Sequence, residues 1–78
     1  MKKFYFTYGS DEQFPFQNGY SIVIANDIHQ AIEKFRKYHP NREGSNCINC
    51  AFYYTEDEWN KTCMANNNSY PCYEVIGM

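Results

Sequence analysis

The stretch Asn26-Asp27-Ile28-His29-Gln30-Ala31-Ile32-Glu33-Lys34-Phe35-Arg36-Lys37-Tyr38-His39-Pro40 decides the fold class of this chain. Ile28, Ala31, Ile32, Phe35 and Tyr38 recur at steps of three and four residues, which a helix of 3.6 residues per turn gathers into one apolar stripe. Gln30, Glu33, Lys34, Arg36 and Lys37 then face water. Asn26 or Asp27 supplies a short side chain able to accept from the open amides of the first turn, and Gln30 stands at capping-box distance from Asp27. Pro40 stops the helix. Arg36, Lys37 and His39 in its last turn complement the negative end of the helix dipole, so this basic end has a structural explanation that requires no ligand.

Strand patterns lie on both sides of this helix. Residues 3–8 alternate, with Phe4, Phe6 and Tyr8 on one face and Tyr5 and Thr7 on the other. Gly9-Ser10 ends that run, Pro15 argues against a central strand, and Asn18-Gly19 turns into Tyr20-Ser21-Ile22-Val23-Ile24-Ala25. The β-branched centre of that segment predicts a second strand in which Tyr20, Ile22 and Ile24 share a face. After a polar connection, residues 48–54 resume alternation, with Ile48, Cys50, Phe52 and Tyr54 on one side and Asn49, Ala51 and Tyr53 on the other. Thr55-Glu56-Asp57-Glu58 is a complete capping box opening a second helix to about residue 65, with Trp59 and Cys63 on its buried face. Its three carboxylates suit a helix N-terminus and need no cation to explain them. Residues 70–76 form the last strand, entered past Pro71.

The order strand, strand, helix, strand, helix, strand predicts an α+β fold. A hairpin followed by two crossovers gives a four-stranded mixed sheet, expected as a two-layer sandwich with both helices on one face. At 78 residues the chain is expected to form a single domain over 1–78, with its core built largely by eight Tyr, six Phe and Trp59. No apolar run reaches membrane-spanning length, and Met1-Lys2-Lys3-Phe4-Tyr5 does not form an apolar signal region, so a cytoplasmic protein without membrane contact is expected. A net charge of −2 argues against a nucleic-acid partner, which calls for a basic excess.

Four cysteines, Cys47, Cys50, Cys63 and Cys72, raise a zinc reading. Structural sites usually use two close ligand pairs, and only Cys47 and Cys50 are close; the intervening gaps are two, twelve and eight residues. The predicted faces place Cys50 and Cys63 in the core, where thiols pack as small apolar groups, and leave Cys47 and Cys72 at strand entries. No metal or other cofactor is therefore expected. His29 and His39 have no local nucleophile or phosphate loop beside them, and no catalytic residue is expected; an enzyme would require one of them to line a cleft with a carboxylate or thiol.

With both helices on one face, alternation leaves Tyr5 and Thr7, Ser21 and Val23, Asn49 and Tyr53, and Tyr73 and Val75 on the other. Tyr5, Tyr53 and Tyr73 would form a contact surface there, since tyrosine buries a large area and keeps a polar tip. Stacking of nucleic-acid bases is the rival use, though it calls for surrounding cations, and ordinary half-exposed strand tyrosines account for the pattern equally well.

The segments Lys3-Phe4-Tyr5-Phe6-Thr7-Tyr8-Gly9-Ser10, His39-Pro40, Asn49-Cys50-Ala51, Tyr54-Thr55-Glu56 and Cys72-Tyr73-Glu74-Val75-Ile76 resemble a group of very small uncharacterised proteins encoded in phages and mobile elements of anaerobic Gram-positive bacteria. The likeness spans nearly the whole chain but carries no catalytic motif, so no site residue follows from it. It implies an accessory role by protein contact, including inhibition of host defence nucleases such as CRISPR effectors. The resulting expectation is a non-enzymatic protein that binds another protein or a second copy of itself. Its rival is a small zinc-stabilised nucleic-acid-binding module.

Overall fold

The computed structural model describes residues 1–41, 47–66 and 70–77. Strands β1 (Lys2–Thr7), β2 (Tyr20–Ala25), β3 (Phe52–Thr55) and β4 (Cys72–Ile76) form one mixed sheet in the order β3-β1-β2-β4. Helix α1 (Ile28–Tyr38) joins β2 to β3; helix α2 (Glu56–Asn60) and a 3-10 turn (Cys63–Asn66) follow β3. The α+β class, the order of elements and the mixed sheet are those expected from the sequence. Among the described residues, no helix is long and apolar enough to cross a membrane.

Both helix starts follow from local chemistry. Asp27 Oδ1 accepts from the Gln30 amide at 2.8 Å, and Gln30 Oε1 reaches back to the Asn26 amide at 2.7 Å. At α2 the Thr55 hydroxyl accepts from the Glu58 amide at 3.2 Å, and Glu58 Oε1 accepts from the Thr55 amide at 3.0 Å, a full capping box. The end of α2 differs from expectation. Thr62 Oγ1 donates to the Trp59 carbonyl at 2.7 Å, a local bond that competes with helix continuation. The helix stops at Asn60, so Cys63 is exposed instead of lying one turn beyond Trp59.

Register decides which residues share a face. Thr7 opposes Tyr20, Phe6 opposes Ser21 and Tyr5 opposes Ile22, while Tyr5 opposes Tyr54 and Phe6 opposes Tyr53. Directly opposed residues lie on one side of a sheet. One face therefore carries Phe4, Phe6, Ser21, Val23, Tyr53 and Thr55, and the other carries Tyr5, Thr7, Tyr20, Ile22, Phe52 and Tyr54. The expected grouping of Ser21, Val23 and Tyr53 with Tyr5 is corrected, because alternation divides each strand in two without saying which halves align across strands.

Each helix covers a different face. The ring of Phe35 in α1 stacks on Phe6 at 4.6 Å, whereas Trp59 of α2 stacks on Tyr5, the neighbouring residue on the opposite side, at 4.7 Å and 2° between planes. Strand order explains why both helices are not on one face. The strands β2, β3 and β4 run in one direction, and the α1 connection travels across β1 to one edge while the following connection returns to the other. Two crossovers of the same hand that travel in opposite senses must pass over opposite faces.

The α1 side holds the larger core, with Phe4, Phe6, Tyr8, Val23, Ala25, Ala31, Phe35, Cys50 and Ile76 all buried. Tyr38, expected to complete the α1 stripe, is 63% exposed. His39, four residues after Phe35, takes that inward place and packs against the Phe35 ring at 5.1 Å. The loop between β1 and β2 is closed by bonds from Asn18 N to Gly9 O (2.7 Å) and from Tyr8 N to Gly19 O (3.2 Å). Glycine is required at position 19, where a Cβ would fall 2.4 Å from Tyr73 Cε2 and 2.6 Å from the Pro71 carbonyl.

Candidate functional site

The three sequence-predicted contact residues do not share a surface. Tyr5 is buried at 8% exposure beneath Trp59, in a cluster that also includes Tyr20 (4.6 Å from Trp59), Tyr54 (6.0 Å) and Tyr70 (6.4 Å). Desolvation in this cluster raises the hydroxyls of Tyr5, Tyr20 and Tyr70 above the ordinary tyrosine value. Tyr53 lies on the other face. Tyr73 sits beside the register shift between β2 and β4, stacks on Phe16 at 4.7 Å, and donates its hydroxyl to the Gln17 carbonyl. Its side chain therefore fastens the loop before β2.

The cysteines do not converge either. Cys50 is buried and packs in the α1-side core, while Cys47, Cys63 and Cys72 are exposed. Among the described residues, no three His, Cys, Asp or Glu side chains are placed to hold a metal ion.

His39 does meet a carboxylate. Its Nε2 lies 2.5 Å from Glu74 Oε1, and the same oxygen accepts from Ser21 Oγ at 3.0 Å. Ser21 Oγ lies 2.6 Å from the Tyr8 hydroxyl. An ionised carboxylate only accepts, so Ser21 donates to Glu74 and Tyr8 donates to Ser21. The order is tyrosine, serine, glutamate, histidine. Nucleophilic catalysis places the histidine against the serine, whereas here the carboxylate stands between them and Ser21 is fully buried. The network ties β1, β2, β4 and the end of α1 together.

Exposed apolar side chains stand on both edge strands, Val75 and Tyr73 on β4 and Phe52 and Tyr53 on β3, which among the described residues pairs on one side only, to β1. Phe52 is 59% exposed and Tyr53 39%, although both are large and ring-bearing. They border a groove of about 460 Å3 lined by Ile28 from α1, by Ile48, Cys50 and Ala51 from the segment entering β3, by Phe52, Tyr53 and Thr55, and by Glu58 at one end. Helix α1 packs on β1 through Phe35 against Phe6, and its first residue, Ile28, meets residues of β3 at the groove. The groove's Glu58 carboxyl is held below the usual carboxylate range by the bond from the Thr55 amide, and then by the Thr55 side chain.

The alternation of residues 48–54 predicts β3 over that whole span with Phe52 facing the helices, so Phe52 is not expected at an open edge. In the structure Cys50 N bonds back to Ile48 O at 2.9 Å, the chain bends there, and regular pairing begins only at Phe52. Four successive residues of high strand propensity, Phe52-Tyr53-Tyr54-Thr55, directly before a capping box are the signal that marks this short edge. Comparison with protein-family models, curated proteins and solved structures finds no match for the chain.

Proposed function

We propose that this is a non-enzymatic accessory domain that acts by binding another protein through the β3 edge and the groove beside it. The observation that supports this reading is the exposure of Phe52 and Tyr53 on an edge strand, next to an apolar groove. Aromatic side chains that bury large areas at low entropic cost are what protein interfaces enrich. The network of Tyr8, Ser21, Glu74 and His39 is assigned a structural role, because its serine is out of a substrate's reach. The sequence likeness to small proteins of phages and mobile elements makes a host protein, such as a defence nuclease, the class of partner.

A photo-reactive phenylalanine analogue placed at position 52 tests the reading in cells that express the protein. A discrete adduct is expected from position 52 and not from position 38, which is also exposed but lies at the far end of α1. The same adducts from both positions, or none from position 52, would overturn it.

A further inference from the structure

The two edges of the sheet are treated differently. Exposed edges invite pairing with another chain, and proteins block them with proline, charge, bulges or inward-pointing charged side chains. At β4, which exposes Val75, several such devices are present: Pro71 precedes the strand, Glu74 points inward to Ser21 and His39, and the pairing register shifts at Tyr20/Ser21. The sequence Phe52-Tyr53-Tyr54-Thr55 contains neither a proline nor a charge, and three of the four residues are exposed. Beyond Thr55 the chain runs directly into Glu56, Asp57 and Glu58, all exposed, and among the described residues Glu58 is the only charged one lining the groove. A second cavity of about 470 Å3 beyond Thr55 brings Lys2 and Lys3 beside Asp27, Glu56 and Asp57, so acidic groups outnumber basic ones there too.

Building on the proposed protein-binding role, we infer that the occupant of this edge is an extended segment of the partner. It pairs with β3 as a fifth strand, sets alternate apolar side chains into the groove, and carries a lysine or arginine at the end that meets Glu56, Asp57 and Glu58. Main-chain bonds along β3 would supply affinity and the groove and carboxylates the selectivity, the usual division in strand addition. The acidic end selects against acidic segments, because like charges brought together across a contact are costly.

The probe is a library of random peptides of about ten residues, the upper range of strand lengths, selected on the immobilised full chain. Enriched peptides should alternate apolar and polar positions and end in Lys or Arg. A selected peptide should shift the amide resonances of residues 52–55 and slow their hydrogen exchange. Its binding should weaken by about tenfold in Phe52→Lys, as for loss of an aromatic anchor, and by a similar factor in the E56Q/D57N/E58Q variant. Gln at position 58 retains the capping bond, and circular dichroism of both variants verifies that they fold. Enriched peptides that engage β3 but lack a basic end, or that bind the neutralised variant equally well, would overturn the occupant and leave the binding surface standing. Failure to enrich any peptide, binding that leaves the β3 amides unmoved, or a dimer of the chain that Phe52→Lys abolishes would overturn the inference together with the partner reading.

Discussion

Cys50 is a free cysteine whose thiol responds to its buried surroundings. It is 7% exposed, and burial pushes it from 9.0 up to about 12. The unfolded thiol loses its proton at the lower value and the folded one at the higher. Between them the unfolded state binds fewer protons, so the stability that depends on a neutral Cys50 is complete below pH 9 and declines as pH rises toward about 12. Urea unfolding across that window should show the decline, and Cys50→Ala should flatten its onset while leaving the contribution of Tyr8, whose hydroxyl burial also raises from 10.0. An unchanged slope in the alanine variant would show that Cys50 is not the group responsible. The position of Cys50 was legible from its place between apolar neighbours. That of Cys63 was not, because it depended on the Thr62 hydroxyl ending α2 early.

Among the elements, β4 is held by a side-chain network as well as by its pairing with β2. It is short, lies at an edge and is fixed through Glu74, whose single oxygen accepts from Ser21 and binds His39. Two buried hydroxyls, those of Tyr8 and Ser21, carry two protons, and without the carboxylate their mutual bond satisfies only one. Glu74→Ala should cost about 1–3 kcal/mol, the usual penalty for a stranded buried donor, measured by thermal or urea unfolding. In the native background Tyr8→Phe should cost less than Ser21→Ala, because the first leaves Ser21 bonded to Glu74 and the second strands the buried Tyr8 proton; the reverse order would contradict donation from Tyr8 to Ser21 and from Ser21 to Glu74. Helix starts were legible because a capping box is local in sequence, and the Thr55-Glu58 pair forms as read. Strand faces were not, because alignment across strands is set by the 9–19 loop and by the bend at Cys50, where no local signal exists.

For the molecule as a whole, the missing piece of information was strand order. The sequence supports a mixed sheet with two crossovers, and the hand of a crossover is known in advance, but which face it covers depends on the direction it travels. With β3 and β4 at opposite edges, the same hand places Phe35 on one side of β1 and Trp59 on the other. The sheet thus separates two aromatic cores, Phe6 against Phe35 and Tyr5 against Trp59. This has an energetic consequence that a one-faced arrangement would not share. Conservative truncations that keep the fold, Phe35→Leu and Trp59→Phe, should each destabilise by roughly 1–3 kcal/mol as packing is lost. Because the two rings stack on opposite faces and share no ring contact among the described residues, their effects should add to within about 0.5 kcal/mol in the double variant. A coupling energy above about 1 kcal/mol would mean that the two rings repack against common neighbours, which the opposed faces of Tyr5 and Phe6 do not allow.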